Sequence, residues 1–284
     1  MTMALPRRRT MLLESIGDPS LTAQAGFTVM CVKGQTGELL DVLRWSEATI
    51  EWADGDPAKG ALLVGSPLAA ALGYRATARW WFGRRGWREV LDDAFAIARN
   101  ADAMTLAFVY SWNTVRILNG VLRADDAAVE NLETALRIGE ASGDDYPVEM
   151  VKVALGSVLL FRDTAAERDR GLELLALGHD MCPHLRFPLS ELPMINLLAA
   201  SKQARRGDRD SAVPVMRNSV DDVFTRGQVM YCSQTTAFFV EALLDRGADG
   251  DADEAEAEAT IARLAAQPPD GSVIRDVWLC ACAR

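Results

Sequence analysis

Helical stretches punctuated at a near-constant interval constrain this chain more than any other feature. The marks Gly17-Asp18-Pro19, Gly55-Asp56-Pro57, Asn100-Ala101-Asp102, Gly143-Asp144-Asp145, Asp180 to Pro183 and Arg226-Gly227-Gln228 follow one another at spacings of roughly 37–46 residues. Each interval is split by a shorter break: Gly34 to Gly37, Gly83 to Gly86, Arg123 to Asp125, Arg162 to Thr164, Gly207-Asp208 and Gly247 to Gly250. A helix, a break, a second helix and a stop, repeated about six times, predicts an all-α, TPR-like α-solenoid of about six antiparallel helix pairs. The interval exceeds the ~34 residues of a standard tetratricopeptide unit, and the Trp-Leu-Gly-Tyr consensus is absent, so the prediction is TPR-like rather than TPR.

Periodicity supports helices throughout. Leu39, Val42, Leu43, Ile50 and Ala53 fall on one face at helical spacing, as do Val90, Leu91, Ala94, Ile97 and Ala98, and Val129, Leu132, Ala135, Leu136 and Ile138. Ser66 before Pro67 places a capping hydroxyl ahead of a proline whose missing N–H costs nothing. Thr164-Ala165-Ala166-Glu167 spells a capping box, Asp125-Asp126 and Ser190 before Glu191-Leu192-Pro193 are further start signals, and Gly143 suits a helix C-terminus. The parse is a flexible amino-terminal segment, 1–11, followed by a single repeat domain, 12–284.

With 284 residues and 49% hydrophobic content, the chain is long enough to bury a substantial core. Forty acidic residues against 30 basic give a net charge of −10, which disfavours direct contact with nucleic-acid backbones. The basic residues are almost all arginine; the lysines are Lys33, Lys59, Lys152 and Lys202. Five scattered cysteines make a poor disulfide framework. Arg7-Arg8-Arg9 is followed by only a short apolar run, and the longest apolar stretch, 61–74, is broken by Gly65, Pro67 and Gly73. Neither a secretory leader nor a membrane span is predicted, and the expected setting is cytoplasmic.

Leu13-Glu14-Ser15-Ile16-Gly17-Asp18-Pro19, Ala53-Asp54-Gly55-Asp56-Pro57-Ala58-Lys59-Gly60, Ser142-Gly143-Asp144-Asp145 and Leu243-Leu244-Asp245-Arg246-Gly247-Ala248-Asp249-Gly250 carry a resemblance. Together with Asp180-Met181-Cys182 and Ser190-Glu191-Leu192-Pro193, they resemble the carboxy-terminal helical region of the large mycobacterial adenylate cyclase–ATPase regulators. The resemblance covers about Leu12 to Trp278. In that family a cyclase domain and an ATPase domain precede the helical tail, and some relatives carry a LuxR-type DNA-binding domain. The resemblance implies a tail without those domains, truncated at its carboxy-terminal end, with cyclase or ATPase domains as candidate partners. It also implies two other readings: a component acting with catalytic domains on another chain, or the tail of a LuxR-type regulator.

Catalytic motifs are missing. No G-x-x-x-x-G-K-[ST], G-x-G-x-x-G or G-x-S-x-G occurs in the sequence. Gly55-Asp56-Pro57-Ala58-Lys59-Gly60 holds two glycines and a lysine in the wrong order and reads as an inter-helix loop. His179, Cys182 and His184 offer good zinc ligands, but no second cluster completes a four-ligand site. Cys280 and Cys282 read as packing. Asp249, Asp251 and Asp253 imitate a calcium loop but lack the glycine and glutamate it needs; acidic residues opening a helix explain them. No catalytic residue, cofactor or metal is predicted.

The candidate partner-binding residues are Trp80 and Trp81 with Arg84, Arg85 and Arg88, because tryptophan and arginine dominate interface hot spots. Packing of the tryptophans between repeats competes with that role. The expected function is a non-enzymatic scaffold for protein–protein interaction or regulation. Its partner would be a protein or peptide on the concave face, with no direct nucleic-acid or membrane contact.

Overall fold

A computed structural model describes residues 19–61, 65–185, 191–246 and 250–267, the side chains of 180–185 excepted. Among the described residues there are twelve α-helices and no strand. They are α1 (Pro19–Gln35), α2 (Leu39–Ala53), α3 (Pro67–Trp81), α4 (Trp87–Ala98), α5 (Ala103–Leu118) and α6 (Asp126–Ser142), then α7 (Asp145–Leu159), α8 (Ala165–Leu185), α9 (Leu192–Arg205), α10 (Arg209–Thr225), α11 (Val229–Arg246) and α12 (Gly250–Ala265).

The helices begin where short polar side chains satisfy their free N–H groups. Ser66 Oγ accepts from Ala69 N at 3.3 Å, Asp125 Oδ1 from Ala128 N at 2.9 Å and Asp144 Oδ1 from Tyr146 N at 3.0 Å. At α8, Thr164 Oγ1 accepts from Glu167 N at 3.2 Å and donates to Glu167 Oε2 at 2.6 Å. The box therefore closes side chain to side chain. Gly143 ends α6 with φ 72°.

Two expectations fail locally. Asp180 to Pro183 do not stop a helix, because α8 continues to Leu185. A proline in the last turn removes one i→i−4 bond without ending the ladder two residues early. Ile138 is 40% exposed, and its neighbour Gly139 is buried instead, where an added Cβ would lie 3.2 Å from Val148. Close approach of the next helix at Gly139 rotates Ile138 outward. The Ser190 start signal lies outside the described residues, and the N-cap of α9 is Glu191, with no side-chain cap.

The described residues fall into two compact units, one within 1–34 and 38–109 and the other within 35–37 and 110–284. In the first, α2, α3 and α4 pack in succession, and α3 is buried on nearly every side. Its alanines let neighbours approach closely, while Tyr74 meets Phe27 and Phe108 with ring centroids 6.3 and 5.8 Å apart. Ser66 N donates to the buried Thr105 Oγ1 at 2.7 Å. That approach needs glycine at 65, where φ is 73° and a Cβ would come within 2.2 Å of the same oxygen.

In the second unit each helix from α6 to α12 packs on the next, and α9 also touches α7 and α11. Cross-helix side-chain hydrogen bonds recur at sequence separations of 36 to 42 residues. Arg162–Asp126 and Arg205–Glu241 are 36 residues apart, Arg170–Glu133 37, Arg217–Glu256 39, Glu191–Tyr231 40 and Arg263–Asp221 42.

The α7–α8 contact is the tightest: a Cβ on Gly171 would meet the Gly156 carbonyl at 2.9 Å, and one on Gly156 would meet the Gly171 carbonyl at 3.0 Å. Gly171→Ala gains about 1 kcal/mol of helix propensity but forces two backbones apart, at a cost of roughly 1–3 kcal/mol. A lowered melting temperature is therefore expected; a raised one would show slack between the two helices.

Candidate functional site

The tryptophan–arginine patch divides on folding. Helix α3 ends at Trp81, Gly83 and Gly86 turn the chain, and α4 starts at Trp87. Trp80 and Trp81 are 5% and 1% exposed and stack edge-to-face, with centroids 5.9 Å apart. Both belong to the core and offer no surface to a partner. Arg84, Arg85 and Arg88 are exposed; Arg84 lies over Phe82 at 5.2 Å and Arg88 over Trp87 at 4.2 Å.

Other sequence-level candidates are placed as follows. His179 is exposed near the end of α8, the side chains of Cys182 and His184 lie outside the described ones, and Cys280 and Cys282 lie outside the described residues. Among the described residues no three His, Cys, Asp or Glu side chains gather as metal ligands. Asp253 is 3% exposed and accepts from Arg246 Nε at 2.9 Å, so it serves an ion pair. Burial pushes the Cys31 thiol up to about 11 and the Cys232 thiol up to about 12, away from the nucleophilic thiolate.

A cluster the sequence reading overlooked forms at the carboxy-terminal end of α9. Of the four lysines, Lys33 and Lys152 pair with carboxylates, and Lys59 donates to the Trp52 carbonyl at 2.5 Å. Lys202 is half-buried, with Nζ 5.8 Å from the Phe161 ring centroid and no ion pair among the described residues. Burial, followed by the charges of Arg205 and Arg168, lowers its pKa to about 8; Arg206 acts the same way, and Glu241 opposes them. Phe161 and Phe238, both half-buried, lie beside it with centroids 6.2 Å apart. These residues come from the end of α7 and from α8, α9 and α11. A groove of about 400 Å³ along α9 is lined by Leu172, Ala199, Val215, Asn196 and Arg206, but Arg206 is already paired with Asp169.

A second buried polar contact joins α9 to α11. Tyr231, 2% exposed, donates its hydroxyl to the Glu191 carboxylate, with distances of 2.8 and 2.6 Å to the two oxygens. Glu191 as a residue is half-buried, and its carboxylate is the deep part, carried inward to that hydroxyl. Burial raises its pKa to about 7, against the lowering effect of the Tyr231 hydrogen bond.

Among the described residues no helix is long and apolar enough to cross a membrane. Comparison with known protein families finds no model that matches the chain, and comparison with curated proteins finds no match either.

Two outcomes follow from these placements. Trp81→Ala should cost roughly 3–5 kcal/mol in denaturant unfolding, whereas alanine at Arg84, Arg85 and Arg88 should shift stability by only about 0.5 kcal/mol each; equal effects would place Trp81 at the surface. Because Glu191 binds its proton more tightly folded than unfolded, its contribution is complete below the ordinary value of 4.5 and is lost as pH rises to about 7. Between those values wild type should lose stability relative to Glu191→Gln, by on the order of 3 kcal/mol at most. Parallel pH–stability curves would contradict the buried carboxyl.

Proposed function

We propose that this chain is a non-enzymatic, TPR-like helical-repeat scaffold that binds a protein or peptide segment in the cytoplasm. The observation that carries the reading is the recurrence of cross-helix hydrogen bonds at separations of 36 to 42 residues in the second unit. Chains that repeat a helix pair bring equivalent positions of successive repeats side by side, so contacts accumulate at one period. Contacts of α9 with both α7 and α11 support the same stacking, with α7, α9 and α11 of the second unit as the layer that faces a ligand. The missing phosphate-cradling motifs argue against catalysis, and the punctuation shared with cyclase–ATPase tails points to a regulatory setting.

Hydrogen exchange on Gly171→Ala tests the architecture. A repeat array transmits a lesion only to neighbours, so α7, α8 and α9 should lose protection while α2, α3 and α4 keep theirs. Uniform loss along the chain would contradict the repeat reading. The purified chain should neither form cyclic AMP nor hydrolyse ATP above background; turnover that follows the protein through purification would overturn the non-enzymatic reading.

A further inference from the structure

A lysine ammonium that is partly desolvated, close to several arginines and given no carboxylate partner is less favourable in place than in water. Lys202 stands in that position, and the carboxylates near it are already committed. Glu241 accepts from Arg205 through both oxygens, at 2.9 and 3.1 Å, and Asp169 accepts from Arg206. Arg168 is held by the carbonyls of Arg162 and Asp163, at 2.8 and 2.6 Å, so its charge also lacks a carboxylate among the described residues. The dipole of α9 favours basic residues in its last turn, which accounts for positive charge there. It does not account for an ammonium with no carboxylate partner among the described residues beside the Phe161–Phe238 pair.

We propose that this face, formed by Lys202, Arg168, Arg205, Phe161 and Phe238, takes an acidic peptide segment. A carboxylate of the segment supplies the anionic partner that Lys202 and Arg168 lack among the described residues, and an apolar side chain of the same segment packs on the two phenylalanines. The proposal deepens the scaffold reading and rests on it for the layer of α7, α9 and α11 that presents the face, with Arg168 added from the first turn of α8. Charge complementarity selects the occupant: the cluster is a local excess of cations on a chain of net charge −10. A nucleic-acid strand would press its dense phosphates against the acidic remainder, whereas a peptide brings only a few carboxylates.

Fluorescence anisotropy at low salt tests this with a labelled peptide alternating Glu and Leu, its Gln-for-Glu counterpart, and labelled single-stranded DNA. The acidic peptide should bind on the order of tenfold more tightly than either comparison probe. Lys202→Gln should weaken it by on the order of tenfold without lowering the melting temperature, since the change removes a desolvated charge. Glu241→Gln should strengthen it severalfold by releasing Arg205. Wild-type affinity should fall as pH rises through about 8, as Lys202 loses its proton amid Arg168 on α8, Arg205 and Arg206 by α9, and Glu241 on α11; Lys202→Arg should abolish that fall. Absence of acidic-peptide binding, equal binding of the neutral peptide, preference for DNA, or indifference to both Lys202→Gln and Glu241→Gln overturns the proposal. Local loss of exchange protection in Gly171→Ala alongside any of these would reject the occupant and keep the scaffold. Uniform loss would reject the scaffold itself.

Discussion

Close contact between successive helices is the condition on which the rest of the second unit depends. At α7 and α8 it is reduced to backbone on backbone: Gly156 and Gly171 leave no room for a methyl group. Around them Leu155, Leu159, Leu160 and Leu175 are at most 1% exposed, each contributing about 1.5–3 kcal/mol by burial. The ion pairs that span successive repeats are weaker partners. Arg205 and Glu241 are each 48% exposed, and pairs so exposed contribute about 0–1 kcal/mol. Apolar packing holds the helices together, and the ion pairs favour one register over its neighbours.

The amino-terminal half of α11 shows what this packing costs. Met230 through Thr236 are all buried, although most of that stretch is polar. Tyr231 and Thr235 find acceptors, the latter in the Tyr231 carbonyl at 2.9 Å. Gln234, 0% exposed, has no hydrogen-bond partner among the described residues at either end of its amide, and neither has the Thr236 hydroxyl. Unsatisfied groups of this kind cost about 1–3 kcal/mol each. The helix is therefore held by its neighbours rather than by its own chemistry, and the titratable Glu191 carboxyl sits at its edge.

Charge is distributed unequally along the same framework. Arg162 is satisfied three ways, by Glu167, Asp126 and the Ala124 carbonyl, and Arg217 is bidentate to Glu256. Beside these paired arginines, Lys202 and Arg168 are neighbouring cations with no carboxylate partner among the described residues. In an acidic chain such an excess is a local departure, and it lies where side chains from α8, α9 and α11 converge with Phe161.

Helix boundaries were legible because local chemistry decides them. Ser66, Asp125 and Thr164 act through backbone groups a few residues away, and Gly143 through its own φ, so sequence alone determined the all-helical class and, among the described residues, nearly every break. The stop expected at Asp180 to Pro183 failed for the converse reason: one lost hydrogen bond does not outweigh a helix supported along its length. The face a residue presents was less legible. Ile138 has the right spacing for the core and lies outside it, because Gly139 admits Val148. Trp80 and Trp81 carry the composition of a hot spot as well as of a core, and packing places both inside. The cluster around Lys202 was invisible in one dimension, since it joins residues roughly 40 positions apart on three helices, and only tertiary packing decides which charges share a dielectric.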